Sequence, residues 1–76
     1  MPKKLNLSAQ MGPIIRAELA RRGSTQADLS QQLGISPAGV SNRITGLTPW
    51  DINELDTVAR YLDLPLAALL PTEASA

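Results

Sequence analysis

The sequence contains no cysteine and no histidine, and these two absences exclude more chemistry than any residue present suggests. Without cysteine there is no disulfide and no thiolate metal site. Without histidine the commonest general base and the imidazole metal ligand are missing too. The acids that remain are spaced as helix caps and solvated faces, not as a catalytic pair. An enzyme is therefore not expected, and neither a cofactor nor a metal is implied. Long apolar runs are also lacking, and nothing approaches the roughly 20 consecutive apolar residues of a membrane span. The N-terminus reads Met-Pro-Lys-Lys and lacks the apolar centre of a secretory signal. The expected place is the cytoplasm (the nucleoid or a host cytoplasm), with no membrane partner and no small-molecule substrate.

Net charge is absent as well, with seven cations against seven anions. Its distribution is uneven. Residues 1–45 carry six cations and two anions, whereas residues 46–76 carry one cation and five anions. A chain polarised in this way can turn one end toward phosphates and the other toward solvent or a partner. What is present is an ordinary apolar content of 43% in 76 residues. That is enough for one small core and too little for a deep cofactor pocket.

The chain divides into a flexible basic arm at 1–7, a domain at 8–71 and a short tail at 72–76. Within the domain the punctuation is helical. Met11, Ile15 and Leu19 step by four, with Ile14 alongside, and mark a buried stripe on a first helix clearest from Pro13 to Arg22. Proline costs nothing at a first helical position and one hydrogen bond inside a helix. The helix therefore starts near Gly12, or a turn from Ser8 runs into it. Gly23 stops it. Thr25 and Asp28 form a capping-box pair for a second helix, whose inner side takes Ala27, Leu29 and Leu33 before Gly34 ends it. Ser36 and Pro37 are an N-cap and first residue for a third helix reaching Thr45, with Gly46 as stop. The join Gly34-Ile35-Ser36 is so short that the second and third helices must cross steeply. Asp51 and Glu54 cap a fourth helix with an apolar face of Ile52, Leu55, Val58, Ala59 and Leu62. Asp63 takes the left-handed terminal position. Pro65 then opens a fifth short helix, Leu66 to Leu70. The fold class expected is all-α, a bundle of about five short helices containing a helix-turn-helix.

On the third helix Val40 and Ile44 define the buried side, and at about 100° per residue Ala38, Asn42 and Thr45 fall opposite. Ser41 and Arg43 flank them, and Gly39 lies near the outer face. Exposed helix faces normally carry Lys and Glu. One this small and polar suits a helix lying in a groove about 12 Å wide. The run TQADLSQQLGIS and the V-S-x-R-I-x-G register after it resemble the helix-turn-helix of the phage Cro and repressor family and its bacterial relatives. The continuation TPWDINELDTVARYLDLPLAALL resembles that family's fourth and fifth helices, so the likeness spans about residues 13–70.

The resemblance implies double-stranded DNA as partner, with base reading by Pro37, Ala38, Gly39, Asn42 and Arg43. Asn42 has the chemistry to pair with adenine, and Arg43 to reach guanine or a phosphate, or instead to pair with an acid of the fourth helix. Phosphate contacts are implied for Thr25, Gln26, Ser36, Ser41, Thr45 and Thr48, and for the arm residues Lys3 and Lys4. Pro37 departs from the family's pattern by removing an expected polar side chain. Trp50 reads as a core anchor with its indole N–H free for a phosphate. The function expected is a sequence-specific transcriptional regulator, a repressor of phage or bacterial type, reading the major groove with the helix 36–45. A homodimer on a two-half-site operator is compatible with it. The rival reading keeps the fold and gives its helix surface to a protein partner, as an antitoxin-like or anti-repressor-like interaction module.

Overall fold

A computed structural model describes residues 7–71 as four α-helices and one 3-10 helix: α1 (Leu7–Arg21), α2 (Gln26–Leu33), α3 (Pro37–Thr45), α4 (Ile52–Leu62) and the 3-10 helix Leu66–Leu69. The arm 1–6 and the tail 72–76 lie outside the described residues, so the outer domain limits expected from the sequence are not addressed. No strand occurs among the described residues. The all-α class is as expected, with one correction. The fifth element is a 3-10 turn of four residues rather than an α-helix. Pro65 and Pro71 bracket too short a stretch for a second turn of α-helical bonding to form.

Both capping boxes are present. The Thr25 hydroxyl accepts from Asp28 N at 3.0 Å while the Asp28 carboxylate accepts from Thr25 N at 2.9 Å. Asp51 and Glu54 repeat the arrangement on α4. Ser36 caps α3 by accepting from Gly39 N, with Pro37 in the first turn. Asp63 ends α4 with φ 59°, the left-handed conformation its sequence position called for.

The first helix begins six residues before Pro13 and passes through it. Tertiary contact explains why the proline does not stop it. The upstream turn is pinned where Ser8 Oγ accepts a hydrogen bond from Trp50 N at 2.6 Å, and Met11 is fully enclosed. Gly12 then meets α3 so closely that a Cβ placed on it would stand 1.9 Å from the Ile44 carbonyl oxygen. Only glycine permits that crossing. Its signature was invisible as a helix signal, because Gly-Pro reads as punctuation.

The core takes Met11, Ile15 and Leu19 from α1, Leu29 from α2, and Val40 and Ile44 from α3. Trp50, the α4 residues Leu55, Val58, Ala59 and Leu62, and Leu69 close it. Two expectations fail here. Ala27 is exposed, because it lies about 200° around the helix from Leu29; the enclosed neighbour is Ser30, whose hydroxyl donates to the Ala27 carbonyl. Ile52 is 64% exposed although it keeps the α4 period. It is the first residue of the helix, and periodicity carries a face past the margin of the core.

Candidate nucleic-acid interface

The outer side of α3 is built by its own period. With Val40 and Ile44 sealed in the core, Ala38, Asn42 and Thr45 are exposed along one stripe, with Pro37 at its start. Ser41, Gly39 and Arg43 are half-buried on the flanks. The Asn42 side-chain amide, which can both donate and accept, makes no hydrogen bond within the described residues. It is the one long polar group on the stripe left open.

The hydroxyls nearby are already engaged. Thr25 and Ser36 are caps, and Thr45 Oγ1 donates back to the Ser41 carbonyl at 3.0 Å. Each hydroxyl retains a further lone pair or, for the caps, a proton to give. Gln26 is half-buried in the first turn of α2, where unpaired backbone N–H groups favour anions. Thr48 is half-buried, its N–H held by the Asn42 carbonyl. Lys3 and Lys4 lie outside the described residues.

Arg43 is brought to the site and then held there. Its Nε and Nη2 donate to the two carboxylate oxygens of Glu54 at 2.9 and 3.1 Å, and its Nη1 donates to the Gly39 carbonyl at 2.9 Å. Trp50 is a core anchor as expected, but its indole N–H is not free for a phosphate. Nε1 is enclosed without a partner, the single such buried side-chain atom among the described residues.

Sequence reasoning left Arg16 without a role. Arg21 and Arg22 pair with Glu18, Arg60 with Asp56 and Arg43 with Glu54. Arg16 alone among the described cations has no ion pair. It lines an open groove of about 650 Å³ between α1 and the end of α3, together with Pro13, Ala17 and Thr45. The sequence carried half of the signal, since it shows the lack of a partner along the helix but not across helices. Positions three and four residues on either side of Arg16 hold Gly12, Pro13, Leu19 and Ala20, none of them acidic.

Among the described residues no helix is long and apolar enough to cross a membrane. No three of their Asp and Glu side chains gather into a group that could hold a metal ion.

The family model of the Cro/C1-type HTH DNA-binding domain matches residues 15–75. No curated protein matches the chain. Among solved structures, the clp gene regulator ClgR from Corynebacterium glutamicum is similar at TM-score 0.80 and 25% identity, over 90% of this chain and 71% of that one. A hypothetical transcription factor, NHTF from Neisseria, is similar at TM-score 0.79 and 20% identity, over 99% and 91%. Hydroxypropylphosphonic acid epoxidase from S. wedmorenis contains the same fold at TM-score 0.74 and 22% identity, over 88% of this chain but 36% of the enzyme. The fold is thus shared by proteins of different activity.

Proposed function

The chain belongs to the Cro/C1-type helix-turn-helix DNA-binding family, and from that membership we propose that it is a sequence-specific transcriptional regulator that reads the major groove with α3. The observation that carries this is the open stripe of Ala38, Asn42 and Thr45, small enough to enter a groove and led by one unengaged carboxamide. Asn42 is the principal base reader, forming paired bonds with adenine, and Ala38 lies against a thymine methyl. Pro37 and Gly39 let the helix start approach base edges closely. Gln26 and the first turn of α2 hold one phosphate run, with Thr25, Ser36, Ser41, Thr45 and Thr48 supporting it. Repression by occupying a promoter or operator, in a phage or bacterial setting, is the mode we propose, because a domain seated in the major groove blocks other proteins from the same site. Two copies on two half-sites extend the sequence recognised.

The test is selection of bound sites from a random duplex pool. Enrichment of one sequence supports the reading, and two inverted copies about one helical turn apart support the dimer. A chain that enriches nothing overturns it. The arm enters through salt dependence. Deleting residues 1–4 should weaken specific and random duplexes alike and flatten the plot of log affinity against log salt by about 0.9 per lost phosphate contact.

One observation favours a protein partner instead. Four of the five described arginines take part in ion pairs within the molecule, sharing three carboxylates because Arg21 and Arg22 both meet Glu18, which reduces the free charge left for phosphate. That reading requires duplex binding to be weak and nearly independent of salt.

A further inference from the structure

We propose that Arg43 reads no base and is a positioning residue, a strut that fixes the angle of α3 against α4 through Glu54. The inference rests on the reading above, in which α3 enters the major groove. Four features lead to it. The guanidinium spans both carboxylate oxygens of Glu54 while its remaining terminal nitrogen is tied to the Gly39 carbonyl of its own helix. Each nitrogen of the fork therefore donates one bond, three of the guanidinium's five N–H groups.

The acceptor is fixed independently, which is the second feature. Glu54 Oε1 also accepts from Asp51 N at 3.1 Å as the returning half of the α4 capping box. The carboxylate is thus held by a second bond besides those to Arg43, and one side chain serves both the start of α4 and the seating of α3. Third, the guanidinium passes close over the start of its own helix: a Cβ on Gly39 would stand 3.4 Å from Nη1, at the near limit of ordinary contact. Fourth, the pair is sheltered, with 18% and 20% of the two side chains exposed, whereas the Arg60–Asp56 pair leaves 79% and 56% exposed. Among the described residues it is the only ion pair that joins two helices.

To reach a guanine, Arg43 would exchange two charge-assisted bonds and a carbonyl contact for two bonds to a base. It would also release the Glu54 carboxylate beside the negatively charged DNA backbone. Nothing is gained by the exchange. As a strut, Arg43 confers selectivity indirectly, by holding Asn42 and Ala38 at one height and tilt in the groove. Small errors of placement weaken every base contact at once.

The experiment compares Arg43→Ala, Glu54→Ala and the double variant for binding to the selected duplex, to each single-base-pair change in it, and to random duplex. All are measured at a temperature where circular dichroism shows each variant fully folded. Taking ratios between duplexes cancels the altered net charge. Each single variant should lose about tenfold in discrimination, spread over the whole half-site, and the double should lose no more than either single because one interaction is being removed. Should Arg43→Ala not fold, Arg43→Lys replaces it, since lysine keeps the charge but cannot span both oxygens. Loss of discrimination at one base pair in the Arg43 variant, with Glu54→Ala still selective, would overturn the strut and make Arg43 a reader. Undiminished discrimination in both singles, or losses that multiply in the double, overturn it equally. Absence of any preference in the parent chain is a separate result, read before any variant, and overturns the regulator itself.

Discussion

On its α1 side, α3 is held by backbone against backbone; on its α4 side, by two half-buried side chains, one from each helix. At the first contact Gly12 leaves no room for even a methyl group beside Ile44. At the second, Arg43 and Glu54 span the gap with long, partly exposed chains. A steric contact of this kind is rigid and tolerates nothing larger, because a close-packed interior relaxes only slightly. An ion pair is adjustable and contributes modestly to stability, because water competes for both charges. The same helix is thus anchored on one side for folding and trimmed on the other for orientation.

The strongest way to break this contrast is Gly12→Ala. The added carbon must drive α1 and α3 apart, at a cost of about 3 kcal/mol or more, a large part of the reserve of so small a domain. Urea unfolding measures it, and an unchanged midpoint would mean that the crossing is looser than described. Next comes Leu55→Ala in the core beneath both contacts, expected to cost about 2–3 kcal/mol, with Val40→Ala somewhat less. Thermal melting unchanged by either would show that the buried faces of α3 and α4 have been assigned wrongly.

Asn42→Ala sharpens the comparison from the outside. It should leave the melting curve in place and cost about 1–3 kcal/mol of specific binding, the worth of a bidentate base contact. Equal binding by the variant and the parent would remove Asn42 from the interface. The smallest effect is expected at the exposed Arg60–Asp56 pair on α4. Arg60→Ala should shift stability by less than about 0.5 kcal/mol. A larger loss would mean that ion pairs carry more of this fold than the contrast allows.

Much of the fold was legible because helix ends are written locally. Thr25 with Asp28, Ser36 with Pro37, and Asp51 with Glu54 each act over three residues or fewer. The outward stripe of α3 was legible for the same reason, since period alone separates Asn42 from Val40. The lone Arg16 was not legible in this way, because Arg43 also lacks an acid one turn away and yet finds Glu54 on another helix.

What the sequence determined by itself is therefore whatever is settled within about one helical turn: where α2, α3 and α4 begin and end, and which face of α3 is apolar. The tertiary structure decided the rest. It carried α1 through Pro13 by tying Ser8 to Trp50, 42 positions away. It turned Gly12 from a candidate helix start into a contact point, enclosed the Trp50 indole, and left Ile52 outside the core. It also chose Glu54 for Arg43 across 11 positions. The physical reason is the same in each case. A local rule fixes which groups a residue offers and on which side, but its partner belongs to another helix, and that helix arrives only when the core closes.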